Sequence, residues 1–185
     1  CRPVLWTVPK IMKGRPKLVA VCVETSDPGN AGTIIRIADA MGADAVIFAG
    51  DTVDPESPKV VRSTAGSLFH IPVARDREVR RVISQLEHAG LSTFATTMNG
   101  EVNLARPGET LTQPTAWLFG NEAQGLPASV RDAADHAVAV PQGPQRRRHA
   151  VDRRRQRGRR LRLRRLQEGA HLRQILQRRK LRHGA

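Results

Sequence analysis

Three polar segments carry the residue types from which a reactive site could be built. The first is Asp27-Pro28-Gly29-Asn30-Ala31-Gly32, running on to Arg36. The second is Thr96-Thr97-Met98-Asn99-Gly100, and the third Phe119-Gly120-Asn121-Glu122-Ala123-Gln124-Gly125-Leu126-Pro127. Arg36 offers a permanent fork of N–H donors, suited to phosphate or to an alkoxide developing on a hydroxyl. Gly120 and Gly125 allow backbone N–H groups to approach a ligand closely and to take positive φ. Ordinary roles compete: a surface ion pair for Arg36, and a plain turn with a helix cap for the Gly-Asn-Glu loop. No Gly-x-Gly-x-x-Gly and no Gly-Lys-Ser/Thr element occurs, so dinucleotide and nucleoside-triphosphate readings are weak. Two cysteines, Cys1 and Cys22, are too few for a zinc site or a disulfide framework, and no metal is expected.

The segments between these loops predict what positions them. Residues 18–23, 45–49, 68–73, 91–96, 116–119 and 137–140 are short apolar runs suited to buried strands. Apolar residues at helical spacing (Ile34, Ile37, Ala38, Met41) follow the first polar segment. Ser57-Pro58 should open a short helix through Thr64. Residues 78–89 form an amphipathic helix closed by Gly90. Strand and helix alternating through short loops predict an open, mainly parallel α/β sheet. In such a sheet ligands bind beyond the carboxyl ends of the strands, where the three polar loops fall.

Charge divides the chain. Residues 1–143 hold 14 Lys/Arg against 15 Asp/Glu, whereas residues 144–185 hold 17 against 2. The net charge of +14 therefore belongs to the last stretch and says nothing about the α/β part. No run of apolar residues is long enough to span a membrane, and no secretory leader opens the chain. A reduced, cytoplasmic setting is expected. Residues 1–17 are mixed and basic, begin Cys1-Arg2-Pro3 without Met, and are expected to be a linker or the end of a missing N-terminal domain.

Residues 27–55 (DPGNAGTIIRIADAMGADAVIFAGDTVDP), 58–73 (PKVVRSTAGSLFHIPV) and 117–127 (WLFGNEAQGLP) resemble, in order and spacing, the motifs of the SpoU/TrmH branch of the SPOUT methyltransferases. The resemblance covers residues 18 to 141. It implies an α/β sheet with a C-terminal trefoil knot, a homodimer, and methyl transfer from S-adenosylmethionine to a ribose 2′-OH of ribosomal or transfer RNA. It places Asn30, Arg36 and Glu122 in catalysis. Thr96, Thr97, Gly120, Asn121, Val140 and Pro141 fall at the donor. Lys59, Arg62 and Ser63 fall where RNA would pass, although surface charge explains them equally. The rival reading is a non-catalytic RNA-binding protein that uses the α/β domain as a scaffold and the basic stretch as its contact.

One departure is plain. Where the family continues with a Ser/Asn motif and an apolar knot helix, this chain reads Pro144-Gln145-Arg146-Arg147-Arg148. Burying many unpaired guanidiniums in a knot is prohibitively unfavourable. Residues 144–185 are expected to be either a solvated RNA-binding tail or the product of a reading-frame shift near Gln142–Gln145. The shift is favoured, because motif and composition change at one point. Sequencing the gene should then show the missing motif in a neighbouring frame; one uninterrupted frame in independent reads would rule this out.

Overall fold

The computed structural model describes residues 5–97, 100, 102–103, 113–121 and 123–139. Five α-helices and seven strands alternate through them: α1 (Val8–Lys13), β1 (Leu18–Val23), α2 (Pro28–Ala40), β2 (Ala45–Ala49), α3 (Pro58–Ser63), β3 (Val73–Asp76), α4 (Val79–His88), β4 (Ser92–Thr97), β5 (Val102–Asn103), β6 (Thr115–Phe119), α5 (Ala128–Asp132) and β7 (His136–Ala139). A short 3-10 helix, Ser67–Phe69, precedes β3. The strands form one parallel sheet in the order β3-β2-β1-β6-β4-β7-β5.

Burial explains why the strand residues read as continuous apolar runs. Every residue of β1 and β2 is buried, because helices cover both faces. Val19, Val21 and Val23 of β1 point into a core with Ile11 of α1, Val82, Ile83 and Leu86 of α4, and Val130 of α5. Ala20 and Cys22 point the other way, with Ala31, Ile35 and Ala38 of α2, Val60 of α3 and Leu68. Toward the middle of the sheet Phe94 stacks on Trp117, ring centroids 4.9 Å apart and planes 22° apart. Both rings are almost wholly buried, so Phe94→Ala should cost about 3–5 kcal/mol of stability.

Carboxylates fasten the amino-terminal edge of the sheet. Asp44 accepts from the backbone N–H groups of Lys17 and Leu18 at 2.7 and 2.8 Å, fixing the start of β1. Asp135 accepts from the N–H and hydroxyl of Thr93 at 2.7 and 2.8 Å, fixing the approach to β7 against β4.

Two sequence expectations differ from the structure. The run 68–73 was expected to be a strand; instead its start is the 3-10 helix, and pairing occupies Val73–Asp76. Gly66 at φ 98° turns the chain there, and Pro72 has no N–H for a ladder, offering only its carbonyl to Val46 N–H at 2.9 Å. The charged end of this strand is accommodated because Arg75 donates to the carbonyl and hydroxyl of Thr52 at 2.6 and 3.2 Å. Residues 1–17 were read as a connection, yet Val8 and Ile11 of α1 are buried in the core and Trp6 bridges Ala74. Six residues are too short a stretch for that helical spacing to stand out in the sequence. The expected knot falls on residues outside those described.

At the end of β3 the Asp76 carboxylate accepts two hydrogen bonds from Arg81, at 2.6 and 3.0 Å, and one from the Glu78 N–H at 2.9 Å. Burial pushes this carboxyl upward, but the hydrogen bonds and the guanidinium charge outweigh it, and the net shift is downward. Asp76 therefore stabilises the fold above the ordinary carboxylate range, and the contribution disappears as pH falls through the lowered folded value. Denaturant unfolding at a series of pH values should show Asp76→Asn less stable than the parent near neutrality, the gap closing in acid. Arg81 is exposed, so the gap should be small and shrink with added salt.

Candidate active site

Strand order sets the site. From β1 the chain moves outward through β2 to β3, then returns with β4 on the far side of β1. β6 enters between β1 and β4, and β7 outside β4. Order reverses across β1, β6 and β4, and register aligns their carboxyl ends: Cys22 lies beside Phe119, Ala95 beside Leu118, and Thr97 beside Ala139 of β7. Such a reversal leaves a crevice beyond the strand ends, because the flanking connections depart in opposite directions.

The loop after β6 is a closed turn. Asn121 and Gly125 exchange backbone hydrogen bonds, Gly125 N–H to Asn121 carbonyl at 2.8 Å and the reverse at 3.1 Å. The Asn121 side-chain oxygen accepts from Ala123 N–H at 2.9 Å, and its amide donates to the Glu24 carbonyl at 2.9 Å. One side chain thus shapes the turn and ties it to the end of β1. Gly120 lies so close to Gly125 and Leu126 that an added Cβ would overlap their backbone atoms. Glycine is dictated there by close approach, and at Gly125 by φ 74°. A similar approach occurs at Gly100, where a Cβ would overlap the backbone of Val138 and Ala139.

The first polar segment is the amino-terminus of α2. Asp27 caps it, its carboxylate accepting from Asn30 N–H at 2.8 Å, and Pro28 takes the first helical position. Asn30 is 8% exposed, and its side-chain oxygen is buried without a hydrogen-bond partner among the described residues. A buried acceptor in that state costs about 1–3 kcal/mol, a deficit that a ligand donor or water would remove. Two turns on, Arg36 is exposed and makes no ion pair with a described residue. The ion-pair explanation of Arg36 therefore finds no partner there.

Ser63, expected beside RNA, has its hydroxyl 2.9 Å from the Pro28 carbonyl and 2.8 Å from that of Val60. It joins α3 to the start of α2. Gly32 lets the helices meet, since a Cβ there would run into Ser63. This seam leaves no sequence signal beyond a glycine inside a helix. Lys59 and Arg62, on the same α3, are exposed. Thr96 donates its hydroxyl to the Leu118 carbonyl at 2.8 Å, leaving its lone pairs as acceptors, and Thr97 beside it is half-buried. The structure thus brings Thr96, Thr97, Gly120 and Asn121 to one edge, with Asn30 joined to it through the segment from Glu24 to Asp27. Arg36 stands two turns away along α2. Glu122, Val140 and Pro141 lie outside the described residues.

The described residues at these strand ends (Thr96, Thr97, Gly100, Gly120, Asn121, Ala139) include no Lys or Arg. These six offer hydroxyl, amide and backbone groups, and Glu24 and Asp27 are the acidic residues after the neighbouring β1. Among the described residues no cluster of His, Cys, Asp and Glu could hold a metal ion, and no helix is long and apolar enough to cross a membrane.

A parallel α/β sheet with glycine-shaped loops at a reversal of strand order is the class of domain that takes ligands at its carboxyl edge. Residues 17–147 match the model of the SpoU rRNA methylase family, and the chain belongs to that family. It is 38% identical over 129 residues to an uncharacterised tRNA/rRNA methyltransferase of Synechocystis sp., covering 70% of this chain and 46% of that one. It is 34% identical over 134 residues to the 23S rRNA (guanosine(2553)-2′-O)-methyltransferase RlmP of Bacillus subtilis, covering 71% and 51%. The chain thus spans about half the length of these relatives. In structure it resembles the AdoMet-bound rRNA methyltransferase from Sinorhizobium meliloti, with TM-score 0.74 and 30% identity, over 94% of this chain and 61% of that one.

The close approaches make an ordered prediction. Gly120→Ala forces a Cβ against backbone that cannot rotate away, whereas Gly125→Ala meets open space and pays only for its positive φ. Gly120→Ala should lose about 1–3 kcal/mol or more, and Gly125→Ala about 1 kcal/mol. Thermal unfolding of the two variants checks the order.

Proposed function

We propose that the domain transfers a methyl group from S-adenosylmethionine to a ribose 2′-OH of ribosomal or transfer RNA. The observation that carries the reading is the alignment of the carboxyl ends of β1, β6 and β4, with the Asn121 turn tied to Glu24 and the buried, unpartnered oxygen of Asn30 six residues further along the chain from Glu24. Family membership and the AdoMet-bound state of the Sinorhizobium meliloti relative support it.

Bound at this edge, S-adenosylmethionine supplies an electrophilic methyl on a sulfonium. Gly100, Gly120 and the Asn121 turn would offer it backbone groups, and Thr96 would offer acceptor lone pairs. The family resemblance adds Val140 and Pro141 to the residues that would hold the donor. Asn30 accepts a hydrogen bond from substrate or donor, relieving its oxygen. Arg36 would hold the ribose-phosphate and stabilise negative charge growing on the 2′-oxygen as its proton passes to water and its new bond to the methyl replaces the S–CH3 bond, releasing S-adenosylhomocysteine, since that hydroxyl is a poor nucleophile by itself. Glu122 orders the site. Lys59 and Arg62 contact RNA phosphates, and Ser63 positions them by fixing α3. The active form is a homodimer working in the cytoplasm.

The arginine-rich segment stands where the family's third motif belongs, so the chain as given should bind the donor weakly. Titration calorimetry with S-adenosylmethionine should show clear binding once residues from 142 onward are replaced by a family sequence carrying that motif. Absence of binding in both proteins sinks the enzyme reading and favours a scaffold that merely binds RNA. In the repaired protein, Arg36→Ala should lower single-turnover methyl transfer by roughly a hundredfold or more with donor affinity nearly unchanged. Activity equal to the parent would remove Arg36 from catalysis.

A further inference from the structure

The face made by α2, α3 and the 3-10 helix carries an aromatic that neither the core nor the methyl-transfer site uses. Phe69 is 65% exposed. The chain has only four Phe, two Trp and no Tyr, so an aromatic left in water is conspicuous. Its support is ordered. Phe69 N–H donates to the Gly66 carbonyl at 3.0 Å, and His70 N–H to that of Ser67 at 3.1 Å. Leu68, its neighbour, is buried and anchors the turn in the core. Ala65 and Gly66, at φ 49° and 98°, set the bend that presents the ring.

Basic residues lie on the elements around it. Arg62, its carbonyl accepting from Ala65 N–H at 3.4 Å, and Lys59 are exposed on α3, just before the bend. On the other side His70 follows directly, its Nδ1 3.4 Å from an Asp39 carboxylate oxygen. Arg36 sits one helical turn before Asp39 on α2, so the surface runs from Phe69 through His70 and Asp39 to Arg36. A lone exposed Phe is ordinary on a protein surface. An exposed ring on an ordered turn, with exposed arginines on the adjoining α3 and α2, has the make-up of a surface that stacks an unpaired base and neutralises the flanking phosphates. A protein partner would be expected to find a wider apolar patch here; among the described residues the other large exposed apolar side chain is Trp6, which bridges to β3 and lies under Lys10.

We propose that Phe69 is a stacking platform for an unpaired nucleotide of the RNA substrate, outside the methyl-transfer pocket, with Arg62 and Arg36 holding the phosphates on either side. The proposal rests on RNA being the substrate class but requires neither donor binding nor turnover. The test is fluorescence anisotropy of the full chain with a short labelled single-stranded RNA and with the same sequence as a duplex. Raised ionic strength would suppress the phosphate contacts of the arginine-rich segment. Phe69→Ala should weaken single-strand binding by roughly five- to a hundredfold while leaving duplex binding unchanged, and Phe69→Trp should restore it. Equal affinities of Phe69→Ala and parent would overturn the proposal, as would equal losses on strand and duplex. So would sedimentation showing that Phe69→Ala splits an assembly, which would make Phe69 a contact between copies. If donor binding is absent from the repaired protein as well but the strand-selective loss appears, the enzyme reading falls and the platform stands.

Discussion

The hydrogen bond from the Asn121 amide to the Glu24 carbonyl holds the carboxyl edge of the sheet in one shape. Glu24 is a non-glycine residue at φ 54°, a conformation that L-residues adopt only when their surroundings demand it. Its N–H is held by Ala49 of β2 at 3.0 Å, and its carbonyl by the turn after β6. The residue that ends β1 is thus clamped by the strands on either side. From that clamp the chain runs through Asp27, which caps α2, and so the position of Asn30 and the direction of α2 follow from it. The same Asn121 side chain closes the turn that presents Gly120 and Gly125.

What this edge can do follows from what it lacks as much as from what it holds. Its described groups on β4 and the Asn121 turn are backbone, amide and hydroxyl, with the carboxylates Glu24 and Asp27 after β1 and exposed cations on α2 and α3. Under the proposed reading a cationic donor would meet the first set and an anionic polymer the second. That division suits group transfer from a sulfonium to a nucleic acid. It also explains why Arg36 gains nothing from a protein ion pair: with the described residues it has none to break before meeting substrate.

Much of the fold was legible because parallel strands covered on both faces must be apolar throughout, and the runs at 18–23 and 45–49 have no other reading. The run at 68–73 misled because Leu68, Ile71 and Val73 are buried as expected, but through a 3-10 turn, with Phe69 and His70 left outside. Burial was legible there and backbone geometry was not. Within the site, residue types marked the loops, but the contacts that make them rigid are long-range. Asn121 reaches Glu24 across 97 positions, and Ser63 meets Pro28 across 35. No local pattern announces either. Asn30 was singled out for its type, and only the fold shows its oxygen buried and unpartnered.

The central claim is that the carboxyl ends of β4, β6 and β7 form one pocket. Backbone amide chemical shifts, followed while S-adenosylhomocysteine is added to the repaired protein, test it most directly. The account predicts that the shifts gather at Thr97, Gly100, Gly120, Asn121, Gly125 and Ala139, with Asp44 and Asp135 at the opposite edge silent. Shifts centred on that opposite edge, or scattered over both, would contradict it.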